Sequence, residues 1–430
     1  MMIFMRQVVA VIAVGVLSAG PASAAGPAPA ISRVSESASG VQGDAVTTEV
    51  AVSGNGRYVA FISAAGNLVA GDTGGDPDVF VRDLRTGTVR RVPASTGAEH
   101  LAISHDGRWV AFGSAAPGLV PGDTNGVADV FVRDLTAGTT RRISVSSAER
   151  QANGPSGVWL GAISSNGRYV TFVSTASNLV PGDTAQAEDV FVRDLKTGTT
   201  SRVSVSSAGR QGNGPGSGYA LAVISGDGRY VGFISDASNL VPNDTNQAED
   251  VFVRDRKTGT TGRISVSSAG RPGDRRSIDL AISADGRYVG FASWSSTLVP
   301  GDTNDSYDIF VRDLRAHTTE RVSVTSTGGQ AEASSYGVSL SADGRYVVFQ
   351  TPSPGMVPGP GADTNETYVR DRRAASTTRV AVGAIGQAGN SYSYGGSVSA
   401  DGRSIAFVSN ATNLVPDDTN NEVDAFVSVR

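Results

Sequence analysis

The sequence predicts an all-β protein: a seven-bladed β-propeller built of four-stranded blades. Three observations lead there. A turn triplet Asn/Asp-Gly-Arg recurs with its arginine at Arg57, Arg108, Arg168, Arg229, Arg287, Arg345 and Arg403, at spacings of 51, 60, 61, 58, 58 and 58. A fixed period of this length overrides any count of domains by length. Every copy offers four short strand-forming runs, and no 12-residue stretch after residue 24 has helical periodicity. The last copy stops after its third strand, at Phe426–Arg430, while Ile31-Ser32-Arg33-Val34-Ser35 matches the missing fourth. That N-terminal strand is expected to complete the last blade and close the ring without free edges, which an open β-solenoid would not need.

The first element is a secretory signal. Arg6 leads into the apolar run Val8–Leu17, and Ala22-Ser23-Ala24 supplies the small residues for cleavage after Ala24. The run is too short to span a bilayer, so residues 1–24 are expected to be removed, 25–30 to act as a linker, and 31–430 to form one propeller outside the cytoplasm, secreted or periplasmic. Composition agrees with a folded, soluble chain. Of 430 residues, 18% are charged and 39% hydrophobic, and the net charge of −5 offers no attraction to nucleic acid. There is no cysteine, which excludes disulfides, thiolate metal sites and cysteine nucleophiles.

Within a copy, strand A ends in Ile/Val-Ser, and Asn-Gly or Asp-Gly turns it into strand B (Arg-Tyr-Val-Ala-Phe in the first copy). Strand C reads Asp-Val-Phe-Val-Arg-Asp, and strand D is expected at Arg-Val-Ser-Val-Ser. Phrases such as SADGRYVGF and LVPGDTNxxxDVFVRD resemble the WD40-like repeats of the TolB-like propeller family over residues 31–430. The resemblance implies the propeller fold, and it does not extend to the α/β domain that precedes the propeller in TolB-type proteins.

Antiparallel strands gather the A–B and C–D turns at one end of the ring and the B–C and D–A loops at the other. The second set is longer and polar, so a binding face is expected there. Six B–C loops hold carboxylates six apart: Asp72 and Asp78, Asp123 and Asp129, Asp183 and Asp189, Asp244 and Asp250, Asp302 and Asp308, Asp418 and Asp424. Four of them add Asn125, Asn246, Asn304 or Asn420 between the pair. Oxygen ligands at relative positions 1, 3 and 7 resemble part of a calcium loop, although the glycine expected at position 6 is missing. The competing reading is an Asx-turn whose second Asp ties the loop to strand C. The Arg-Asp pairs that end strand C, such as Arg133-Asp134 and Arg254-Asp255, recur with the turn arginines, and recurrence in every blade argues scaffolding.

Residues that break the repeat where D–A loops enter strand A are Glu99, Trp159, Tyr219, Arg275, Arg276, Asp279, Tyr336, Tyr392 and Tyr394. Aromatic rings edged by charges at a channel mouth suit a sugar or a peptide, and inter-blade packing is the alternative. The three histidines, His100 near a strand A, His105 in an A–B turn and His317 in a C–D turn, do not gather easily, and no G-x-S-x-G elbow is present. The expected function is therefore a non-catalytic exported propeller, by default a monomer, that binds a protein or a cell-envelope glycan on its B–C/D–A face. The alternative is a carbohydrate-active lyase or glycosidase using Glu99 or Asp279.

Overall fold

The computed structural model describes residues 30–430 apart from 73, 94, 159–160, 185–186, 215–220 and 362–363. The expected signal segment, Trp159 and Tyr219 lie outside the described residues. No helix occurs among those described, so none is long and apolar enough to cross a membrane. Seven antiparallel four-stranded sheets form, each ordered A-B-C-D. The fifth blade is typical, with strands Ser277–Ile282, Tyr288–Ser293, Asp308–Asp313 and Thr318–Arg321. In the seventh, Ala30–Arg33 takes the place of strand D and pairs antiparallel with Asp424–Val429. The ring is a seven-bladed propeller closed by its N-terminal strand, as the truncated last repeat predicts.

Strand D differs from its expected position. It covers Thr260–Arg263 in the fourth blade and ends where Arg-Ile-Ser-Val-Ser begins. The ladder stops because Ser265 intervenes: its hydroxyl accepts the Val251 N–H at 3.2 Å, a donor that backbone pairing would otherwise use. In the A–B turn, of the Asn/Asp-Gly pair only the glycine has positive φ. In the first blade Gly56, at φ 70°, donates to the Ser53 carbonyl at 2.8 Å, and the Asn55 side chain accepts the Arg57 N–H at 3.0 Å. Asn and Asp are selected there as side-chain acceptors.

In six blades two phenylalanines, such as Phe61 and Phe80 with centroids 5.4 Å apart, stack across strands B and C in the core, and in the sixth Phe349 meets Tyr368 there. Between blades, the aromatic residue that opens strand B packs on the turn glycine of the next blade. A Cβ at Gly286 would lie 2.2 Å from the Tyr230 ring, and one at Gly228 would lie 2.1 Å from Tyr169. At the opposite end, the residue before strand C accepts the first N–H of the following strand A, as in Ser277 to Glu249 (2.7 Å) and Ser335 to Tyr307 (2.7 Å). These contacts fix the inner strands and the mouth of the channel they enclose.

Candidate functional site

Each paired carboxylate of the B–C loops meets an arginine, the last residue of strand D. Arg91 reaches Asp72 and Asp78 at 3.1 Å each. Arg142 meets Asp123 and Asp129 at 3.2 and 3.4 Å, and Arg202 meets Asp183 and Asp189 at 3.0 and 3.1 Å. Arg263 bridges Asp244 and Asp250 at 2.9 and 3.0 Å, and Arg321 bridges Asp302 and Asp308 at 3.2 and 3.3 Å. In the seventh blade Arg33, from the N-terminal strand, bridges Asp418 and Asp424 at 3.2 and 3.3 Å. In the sixth blade, among the described residues, Glu366 takes Arg379 at 2.9 Å and the Tyr368 hydroxyl.

The remaining lone pairs are also engaged. Asn125, Asn246, Asn304 and Asn420 turn their amide nitrogens toward Asp129, Asp250, Asp308 and Asp424 at 3.0 to 3.2 Å. Gln151 donates to both Asp123 and Asp129 at 3.0 Å. A guanidinium thus stands where a calcium ion would, and the Asn groups offer donors rather than ligating oxygens. As arranged, these residues do not fit the cation, and among the described residues no group of three His, Cys, Asp or Glu could hold a metal ion. Burial, with the neighbouring Asp308 carboxylate, pushes Asp302 up to about 6 despite Arg321. Burial also pushes Asp424 up to about 6.

The acids that end strand C face the other end of the ring and clasp the turn arginines. Arg108 meets Asp134 at 2.6 Å and Arg229 meets Asp255 at 2.6 Å. The Arg108 hydrogen bonds hold Asp134 down at about 2. Six blades share this clasp, and in the seventh Arg403 has only Asp401, at 3.8 Å. Features repeated around the ring in this way belong to its framework.

Four of the repeat-breaking residues, Arg275, Arg276, Asp279 and Tyr336, gather in one sector of the B–C/D–A face, across the fourth to sixth blades. Arg275 lies over the Trp294 ring at 4.9 Å, and Arg275 also pairs with Asp305. Trp294 stands 5.9 Å from Tyr307, and Tyr307 stands 5.4 Å from Tyr336. The three rings form a continuous strip that ends beside the channel. Arg276 pairs with Glu249 at 3.1 Å along its edge. Trp294 is 38% exposed, so the outer end of the strip is open to solvent. Burial pushes the Tyr307 hydroxyl up against the opposing Arg276 charge. At the inner end, the Gly337 N–H, next to Tyr336, donates to Asp279 at 2.8 Å.

The other candidates lie elsewhere. Tyr392 and Tyr394 pack together at 5.8 Å, with Tyr394 against the core shared by the seventh and first blades. Glu99 is exposed in the second blade, three places round the ring from Asp279. His100 faces Glu49 at 3.2 Å, and His105 lies at the far end of the channel over Gly54. Sequence reasoning missed Trp294 and Tyr307, although a signal was present. Trp294 occupies the position held by Ala64, Ala115, Thr175, Asp236, Pro352 and Asn410 in the other blades, and Tyr307 occupies that of Pro77, Ala128, Glu188, Glu249, Asn365 and Val423.

No protein-family model and no curated protein matches the chain. Solved structures do. The chain is similar to oligogalacturonate lyase from Vibrio parahaemolyticus at 13% identity and TM-score 0.53, covering 93% of each chain. It is similar to the β-propeller domain of the Trilobed protease from Pyrococcus furiosus at 11% identity and TM-score 0.54, covering 89% of this chain and 95% of that one. That domain is described as having an open velcro topology, whereas here Ala30–Arg33 pairs with Asp424–Val429. TolB from Acinetobacter baumannii is also a neighbour, at 15% identity and TM-score 0.44, covering 76% of this chain. The chain spans 64% of the length of that TolB structure. At these identities the likeness is one of fold, that of a seven-bladed β-propeller, and the aromatic strip lies on one sector of one face.

Proposed function

We propose that the chain is an exported binding propeller that holds a glycan on the B–C/D–A face of its fourth to sixth blades. The observation that carries this reading is the strip Arg275–Trp294–Tyr307–Tyr336, in which Trp294 and Tyr307 stand where the other blades have no aromatic residue. Successive aromatic rings edged by Arg276, Glu249 and Asp305 offer apolar faces for sugar rings and hydrogen-bonding groups for their hydroxyls. A glycan suits a narrow edge-charged strip better than a protein partner does, since a specific protein interface buries about 800 Å2 per side around a broader apolar centre. Export rests on the signal-like first 24 residues.

The test is isothermal titration of oligosaccharides of hexoses, uronic acids and N-acetylhexosamines into the protein. At least one class is expected to bind, and Trp294→Ala should weaken it about tenfold, equivalent to the loss of about 1.4 kcal/mol of stacking and burial. No binding by any class, or unchanged binding in both Trp294→Ala and Tyr336→Ala, overturns the reading. The catalytic alternative has one supporting observation: burial pushes the Asp279 carboxyl above its usual range beside the strip. It predicts that a glycan which binds is also turned over, and that Asp279→Asn abolishes turnover while sparing its affinity.

A further inference from the structure

The inner strands enclose a channel of about 360 Å3, within the range of small-molecule sites. Its wall is aliphatic, with Val52, Ile103, Ile163, Val223, Leu340 and Val398 all facing the cavity. Its far end is narrowed by backbone hydrogen bonds that run from one A–B turn to the next. Ser165, Gly226, Ala284, Ala342 and Ala400 donate in turn to the carbonyls of Gly226, Ala284, Ala342, Ala400 and Gly54, at 2.8 to 3.0 Å.

Near the mouth this apolar wall carries a carboxylate. Asp279 sits at a bulge of strand A with φ 50°, and it lines the cavity. One of its oxygens accepts the Gly337 N–H, and among the described residues no basic side chain forms an ion pair with it. Of the other ionisable groups on the inner strands, Glu49 and His100 face each other, Glu99 is exposed in the second blade, and His105 is at the floor. A carboxylate in apolar surroundings is costly unless a cation or several hydrogen bonds meet it. The strand runs roughly 16 Å from Asp279 to Ala284 at about 3.3 Å per residue, and its intervening side chains at the channel are Leu280, Ala281 and Ile282.

We propose that the channel binds an alkylammonium, with a single aliphatic chain along the apolar wall and the cationic head on Asp279 at the mouth. The site adjoins the inner end of the aromatic strip at Asp279 but does not depend on the glycan reading. An alcohol of the same chain length would gain the apolar burial without the ion pair, and a carboxylate would meet Asp279 with like charge.

Isothermal titration at pH 7.5 with n-octylammonium, 1-octanol, octanoate and methylammonium tests this. Octylammonium is expected to bind once per chain, at least about tenfold more tightly than octanol, an advantage of about 1.4 kcal/mol. Octanoate should be weaker than octanol, and methylammonium, which lacks the chain, should not bind. Asp279→Asn should bring octylammonium to the octanol level, and Ala342→Phe, which fills the lower channel, should weaken both. The wild-type ratio decides the matter even if a variant does not fold. Equal affinity for octylammonium and octanol, no binding of either, or an Asp279→Asn variant that folds and keeps the preference, overturns the proposal.

Discussion

A single arginine per blade settles the electrostatics of the B–C loops. Arg263 holds Asp244 and Asp250 together, and without it two carboxylates would be pressed into one half-buried corner. The pairing was only half legible in the sequence. A spacing of six within one loop is visible, whereas the arginine lies 13 residues beyond the second Asp on the adjacent strand, and only the C–D register brings it back. The acids of the B–C loops and those that end strand C respond oppositely to acid. Asp302, at about 6 against an ordinary 3.8, favours the fold most at low pH and loses that contribution as pH rises toward 6. Asp134, at about 2, contributes above 3.8 and loses it as pH falls toward 2. Calcium has no place in this arrangement without displacing a guanidinium. The thermal midpoint at pH 7.5 is therefore expected to be the same in millimolar calcium and in excess chelator. Each site tenfold saturated would add ~1.4 kcal/mol, so a clear rise in calcium would show that the loops rearrange around the ion.

At the level of the strand and turn, the seam between blades is an aromatic ring laid on a glycine. Tyr230 opens strand B of the fourth blade and covers Gly286 in the A–B turn of the fifth, with the Arg229 guanidinium over its ring at 4.7 Å. Gly286 has φ 70°, so it answers to both a backbone and a packing demand. Gly301, in the B–C loop of the same blade, has φ 72° but nothing within 4 Å of a built Cβ. Comparing the two isolates the seam. Gly301→Ala should cost roughly 1–2 kcal/mol for the left-handed backbone alone. Gly286→Ala should cost roughly 1–3 kcal/mol more, because the Tyr230 ring has to move. Equal losses in denaturant melts would show that the ring yields freely. The recurrence of the triplet made the turn legible in the sequence, but the partner of its glycine was not, since the contact crosses from one repeat to the next. The functional strip was hidden for a related reason: Trp294 and Tyr307 flank a regular B–C loop and come together with Tyr336 only when the fifth and sixth blades pack.

The whole molecule depends on one short strand from its other end. Ala30–Arg33 pairs with Asp424–Val429, Arg33 bridges Asp418 and Asp424, and the Ser35 hydroxyl donates to Asp424 at 2.5 Å. The closure was legible because a repeat with three strands at one end and a lone strand at the other leaves one economical arrangement for a ring. Arg33 is the only one of the triad arginines contributed by a distant part of the chain, so the same side chain that neutralises a loop in six blades also locks the ring in the seventh. Removing residues 30–35 would bare the edge of Asp424–Val429 and leave the two buried carboxylates without their cation. Arg33→Ala removes only the cation, and breaking a buried pair from one side costs on the order of 3–5 kcal/mol. The truncated chain should lose more than Arg33→Ala in thermal melts, and it should associate through the exposed strand edge, visible as dimers or larger species in size-exclusion chromatography with light scattering. A truncated chain that stays monomeric with an unchanged midpoint would mean that packing between the first and seventh blades closes the ring without the strand. The strip at Trp294 belongs to the fifth and sixth blades and shares no residue with this joint, so Arg33→Ala is expected to lower stability while leaving glycan affinity as it was.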